Sequence, residues 1–460
     1  MAEGVHDKNH TRLGKVIVFL ICAVPIVATL AYGAVDSWTI GLLAILVAVI
    51  FILWMSEAVL TGELRYSTAK LQVPILAILL LGCVQLLPLG SAVDPSSVGA
   101  PLVRSLSMDP YATRFFLMRL SICFVFFLAA LAYIPGGGRP QRVAGLIVIF
   151  GTLIAFAGIL QKLATPEAIY GLRTSPQAIA FGPFVNQHHF AGLMEMTSGL
   201  ALGMLFGSGI NRDYKPFLAI GAAVMGMAVV FTGSRGGLIS YLAVIGFAVA
   251  ASVVRGSTNE SSTRNDQGAR SLGKRNLLLV TAAGALIFLV LGSVLFLGGE
   301  AALFRSVGLS DPGAGDVTSG RGHFWGVAWQ VFRANPIIGA GLDAFGVAFP
   351  KYDTWNGYFR VEQAHNDYLQ MLADGGILGF ACVVAFVLLL LRKGVSAVTR
   401  GSDIHRSVAA GALAGCFGIL IHSFFDFPLR TPANSFVFLL LVTLVAGSSL
   451  PKRSRKSIAQ

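Results

Sequence analysis

Three short stretches hold the residue types that could do chemistry. His365-Asn366-Asp367-Tyr368-Leu369 sets an imidazole where a long polar segment re-enters an apolar run, with Gly376 and Gly379 following. A titratable group at a membrane surface is costly to place unless it works. Phe231-Thr232-Gly233-Ser234-Arg235-Gly236-Gly237 reads as a tight turn between two apolar runs and lifts one guanidinium outward. Ser319-Gly320-Arg321 puts a second at the amino end of a helical stretch, where free backbone N–H groups favour an anion. Two planar forks and a helix amino terminus suit a phosphate or diphosphate, which Arg binds bidentately while staying charged.

Each piece alone has a plainer reading. An outer arginine commonly anchors at the interface, a histidine at a helix entrance commonly caps it, and Tyr352, Trp355 and Tyr358 fit an aromatic belt. The set in order carries the information.

These residues need elements to hold them. The chain has 460 residues, 55% hydrophobic and only 12% charged, against about 25% charged in soluble domains. It is therefore expected to be an all-α polytopic membrane protein. Runs able to cross about 30 Å of hydrocarbon recur about twelve times: 16–34, 39–56, 70–88, 114–134, 142–163, 187–207, 216–232, 237–254, 276–298, 366–391, 405–425 and 434–449. The net charge of +12 could suggest nucleic acid, but most of the 34 Lys and Arg fall in alternate loops. That asymmetry puts both termini in the cytoplasm and the three motifs on the outer face. The remaining basic balance is attraction to anionic lipid. Cys22, Cys83, Cys123, Cys382 and Cys416 all lie in apolar runs, as small buried hydrophobes do.

One integral domain over 1–460 is expected, with a flexible cytoplasmic loop at 255–275 and a long outer loop at 299–365. Within the latter, Trp325, Trp329 and Phe332 recur at i, i+4 and i+7, which predicts an amphipathic interfacial helix ended by Asn335-Pro336. The turn Phe181–Asn186 delivers Asn186, His188 and His189 to the top of the sixth run. Adjacent histidines face different sides of a helix, so a metal site there is disfavoured. Glu195, inside that run, is read as structural, and Asp426 as a loop ion pair with nearby Arg430. No Asp-x-Asp pair occurs, so no metal or other cofactor is expected.

Taken in order, the motifs resemble the O-antigen ligase and polymerase superfamily of bacterial envelope enzymes. The matching residues are Thr232–Gly237, Gly320-Arg321 with Trp325, Gly339–Phe345, and His365–Leu369 with Gly376 and Gly379. The segment Gly182–Gly192 is similar too, so the likeness covers about residues 180–390. It implies a GT-C-like fold in the bacterial inner membrane. It also implies transfer of a glycan from undecaprenyl diphosphate to an acceptor hydroxyl at the periplasmic face. The acceptor is a lipid A–core sugar in ligases and another lipid-linked repeat in polymerases. On that reading Arg235 and Arg321 bind the diphosphate, and His365 is the catalytic base of a metal-independent, inverting displacement. Asn186, His189, Ser234, Asn366 and Tyr368 contact substrate or support those that do. The implied partners are the lipid-linked donor, the lipid A–core or glycan acceptor and membrane lipids.

Other readings stay open. An exopolysaccharide or O-antigen polymerase would share the donor chemistry, as would a protein O-oligosaccharyltransferase. A transporter or flippase of lipid-linked glycan would line a midplane path with polar groups, whereas here the ionisable residues crowd the outer surface.

Overall fold

Segments this apolar fold as helices because hydrocarbon offers no partner to a free backbone N–H or C=O. A computed structural model describes residues 11–90, 105–165, 167–175, 178–260 (backbone alone from 254), scattered positions between 277 and 287, 320–355, 357, 360–399 and 402–447. It is almost entirely helical: α1 (Arg12–Leu30), α2 (Ser37–Thr61), α3 (Gln72–Gln85), α4 (Pro110–Tyr133), α5 (Arg139–Ala164), α6 (Gln187–Phe206), α7 (Lys215–Thr232), α8 (Arg235–Glu260), α9 (Arg321–Ala334), α10 (Asp367–Thr399), α11 (Asp403–His422) and α12 (Pro432–Gly447). The strands Ala168–Ile169 and Arg173–Thr174 pair as a small antiparallel hairpin.

Among the described residues, eight helices are long and apolar enough to cross a membrane: α1, α2, α4, α5, α7, α8, α10 and α11. Helices α3 and α12 are apolar but shorter. The chain is a multi-pass, all-α membrane protein. A helix stands at every expected apolar run except the ninth, because 276–298 lies largely outside the described residues. So do 299–319, 261–275, Tyr358 and Phe359. Helix α8 runs to Glu260, past the expected boundary at 254. Once apolar turns nucleate a helix, each added residue gains a hydrogen bond, so the polar stretch starts as helix.

Helix α6 is the centre of the bundle. Every residue from His189 to Met204 is buried, so Glu195, Thr197 and Ser198 can ride along it without meeting lipid. Its closest neighbour is α11. A Cβ at Gly203 would overlap Gly411, and one at Gly199 would overlap Gly415. Small residues four apart on both helices let the backbones touch, the packing that gives membrane helices their van der Waals gain.

Helix α9 ends at Ala334 with Asn335 as its cap, where the sequence places its stop. Its protein-facing side is the aliphatic one. Val327, Ala328 and Val331 are enclosed with Phe345, Phe349, Ala364 and Ala373, while Trp329 faces outward against Phe332. Short aliphatic side chains allow close approach to α10, and the bulkier ring is left outside.

The segment after α9 is threaded through a break in α10. Gly376 (φ 62, ψ −162) interrupts that helix, and a Cβ at Gly339 would overlap the Asp374 backbone. Ala340 N–H donates to Ala373 O (2.8 Å), Gly341 N–H to Asp374 O (3.0 Å) and Ile377 N–H to Pro336 O (2.8 Å). An ionic cluster locks the joint. Arg430, in the turn between α11 and α12, pairs with Asp343, with Asp374 (3.1 Å) and more loosely with Asp367 (3.8 Å). Arg119 of α4 meets Asp343 at 2.7 Å. Burial works to lower the Arg430 pKa, but the three carboxylates outweigh it and hold it above the usual value.

Removing one partner of such a cluster strands buried charge. Arg430→Ala is expected to cost about 3–5 kcal/mol. That would appear as a sharply lowered thermal unfolding midpoint of detergent-purified protein. An unchanged midpoint would show that the cluster contributes nothing.

Candidate active site

The elbow before α10 is strained and clamped. His365 has φ 50, in the left-handed region, which costs an L-residue about 1–2 kcal/mol and persists only where neighbours enforce it. Asn366 caps α10, its side-chain oxygen accepting from Tyr368 N–H (3.0 Å) and Leu369 N–H (3.1 Å). Asp367 N–H donates to Ser423 O (2.9 Å), and the Ser423 hydroxyl donates back to the Asp367 carboxylate (2.9 Å). Tyr368 donates its hydroxyl to Leu420 O at 2.7 Å. Asp367 and Tyr368 thus fasten the elbow to the end of α11, and with the Asn366 cap they hold the backbone next to His365.

What it is aimed at is Asp426. This carboxylate lies just past α11 and is buried. Its Oδ1 is 3.3 Å from His365 Nδ1, in contact though off the line of a straight hydrogen bond. Its Oδ2 is 3.2 Å from the Arg321 guanidinium, from which it accepts a hydrogen bond. Burial alone would raise the Asp426 pKa. The His365 contact, with the charges of His188, His365 and Arg321, outweighs burial and holds the carboxyl far below its usual range. Phe427 packs edge-on to both His365 (4.9 Å) and His189 (5.1 Å), and Phe324 of α9 stacks on His365 at 6.0 Å.

The top of α6 closes the other side. His188 Nδ1 and Ser234 Oγ share a hydrogen bond of 2.8 Å, while Asp426 Oδ2 stands farther off at 4.0 Å. Ser234 Oγ also accepts from Gly237 N–H (3.1 Å), so its proton is free to go to His188. Arg235 follows at the first turn of α8. Asn186 caps α6 by accepting from His188 N–H at 2.8 Å. His189 turns inward, with Nδ1 2.7 Å from the Thr431 hydroxyl. Deeper, Glu195 Oε1 lies 2.9 Å from His422 Nδ1, both enclosed.

The structure therefore brings Arg321 and His365 onto one carboxylate, with His188 beside it and Ser234 linking to the α8 turn. Asn186, Asn366 and Tyr368 have their side chains engaged in holding helices, and His189 points to α12 and its preceding turn. The sequence reading of Asp426 is corrected: it pairs with Arg321 and His365, while Arg430 is taken by Asp343, Asp374 and Asp367. Proximity of four residues along the chain suggested the wrong partner. The available signal was an acid between two apolar runs on the face carrying the other motifs.

Chemically, an aspartate behind Nδ1 fixes the tautomer and leaves Nε2 as the nitrogen that can take a proton from a hydroxyl. Arg321 and the amino end of α9 offer anion binding within the same cluster.

Because folding depresses its pKa, Asp426 should stabilise the fold above its unfolded value of about 4 and lose that contribution as pH falls below it. The difference in unfolding midpoint between the parent and Asp426→Asn is expected to be constant from pH 8 to 5 and to shrink below pH 4. A difference that stays constant to pH 3 would contradict the assignment.

No curated protein matches the chain. A family model described as O-antigen ligase matches residues 220–384. That segment contains Arg235, Arg321 and His365, and excludes Asn186, His189 and Asp426. That match, set within a multi-pass helical fold, supports the O-antigen ligase and polymerase superfamily for this segment of the chain.

Proposed function

We propose that this protein transfers a glycan from undecaprenyl diphosphate to an acceptor hydroxyl, at the periplasmic face of the inner membrane, in the manner of an O-antigen ligase. The family supports membrane-bound glycan ligation or polymerisation acting on lipid-linked glycan and an acceptor. The observation that carries the finer reading is Asp426 bridging His365 and Arg321. It joins a base and an anion-binding fork within one side chain's width.

In the proposed reaction His365 Nε2 accepts the acceptor's proton as its oxygen attacks the anomeric carbon. Asp426 holds the ring and stabilises the imidazolium that forms. The bond to the diphosphate breaks as the new glycosidic bond forms, with inversion. Negative charge grows on the leaving diphosphate, and Arg321 and Arg235 stabilise it where it develops. No metal is required when two guanidinium groups do this work. Ser234 supports the site through its bond with His188, and Asn186, His189, Asn366 and Tyr368 act by positioning. The fold is proposed to be a single GT-C-like domain of about twelve spans, with both termini cytoplasmic. A polymerase would use the same residues on a second lipid-linked glycan.

Purified protein given an undecaprenyl-diphosphate glycan with core lipid should form product on core lipid. Chain lengthening without core lipid would instead make it a polymerase. His365→Ala is expected to lower turnover about 10²–10⁴-fold. Arg321→Lys and Arg235→Lys should each cost about 10²-fold, since ammonium keeps charge but not the fork. Asp426→Asn should lower kcat more than it raises KM. Parent-like turnover of His365→Ala would end the mechanism.

A further inference from the structure

We infer that the opposite rim of the bundle holds a binding site for the phosphate headgroup of an anionic phospholipid in the cytoplasmic leaflet. The site is independent of the transfer reaction. A cavity of about 560 Å³ lies between the start of α3 and the ends of α4, α10 and α12. Lys70, Arg392 and Lys393 line it together with Ser67 and Thr68. Its lining contains no carboxylate, and none of the three cations makes an ion pair among the described residues. By contrast Arg65, in the same non-helical segment as Lys70, pairs with Glu57 (3.7 Å), and Arg406 on α11 pairs with Asp403. Three uncompensated cations with neighbouring hydroxyls present charge and hydrogen-bond donors for one phosphodiester.

The source of that phosphate follows from what surrounds it. The floor is apolar, formed by Leu71, Leu131 and Leu389. On α10, Leu388 and Val395 lie one turn to either side of Arg392 on the same helix face, and both are strongly exposed. In a membrane, that face meets acyl chains. A soluble phosphate would gain nothing from it, whereas a lipid places its headgroup among the cations and its tails along the stripe. Basic pockets between helices at the cytoplasmic rim suit this ligand, and their charge adds to the general attraction of the leaflet.

The test uses delipidated full-length protein, with retained lipid counted by native mass spectrometry after adding dioleoyl phosphatidylglycerol or dioleoyl phosphatidylcholine. The parent should retain phosphatidylglycerol about tenfold over phosphatidylcholine, and inorganic phosphate should not displace it. The combined variant Lys70→Gln, Arg392→Gln, Lys393→Gln should lose the preference. An equal loss of charge elsewhere on that rim, Arg12→Gln, Arg142→Gln, Arg212→Gln, should keep it. If the combined variant does not fold, Arg392→Gln alone is read, and Lys70→Arg with Lys393→Arg should bind as the parent does. A control variant that loses the preference equally would overturn the site in favour of diffuse attraction. Equal retention of the two lipids, or displacement by inorganic phosphate, would overturn it as well.

Discussion

A single buried carboxylate holds one end of the helical bundle together. Asp426 faces a guanidinium on one oxygen and an imidazole on the other. Enclosed charge of this kind is expensive unless it is compensated on every side, and here α6, α9, α10 and α11 each bring a group to it or beside it. The helices cannot shift relative to one another without stranding that charge. The same requirement that keeps Asp426 ionised keeps His365 oriented, so packing and chemistry share one constraint.

A second ionic centre lies nearby and has a different task. Arg430 gathers Asp343, Asp367 and Asp374, and Arg119 completes the set from α4. Gln85 adds bonds to Ile338 O, Asp374 O and Leu342 N–H. This polar cluster stitches the glycine-rich segment 339–345 into the break of α10. The break lets α10 begin as a short helical piece, Asp367 to Gly375, after the His365 elbow and continue as a helix long and apolar enough to cross a membrane. Asp367 belongs to both centres, touching Ser423 at the elbow and Arg430 in the lock. Strain at His365 is tolerated because these two clusters over-determine its backbone.

The two rims divide the labour by charge. At one rim Arg321 and Arg430 are paired with the buried acids Asp426 and Asp374. At the opposite rim Lys70, Arg392 and Lys393 stand without acids among the described residues, beside an apolar stripe. Helix α6, enclosed on all sides and pressed against α11 through glycines, links the rims as a rigid axis. Polar residues inside it, such as Glu195 with His422, are borne by protein neighbours rather than lipid.

Composition and apolar run length were enough to determine a multi-pass helical bundle, because hydrocarbon leaves the backbone no other way to satisfy itself. The order of short motifs was enough to single out Arg321 and His365, which the fold brings to one carboxylate. Local signals also placed the end of α9 at Asn335-Pro336. Which face of α9 turns inward was decided only by packing, because Trp and Val stripes are equally periodic in a sequence. The partner of Asp426 was likewise decided only in three dimensions. A charge four residues away is near along the chain, yet Arg321 lies 105 positions off and is nearer in space, and Coulomb's law depends on distance through space.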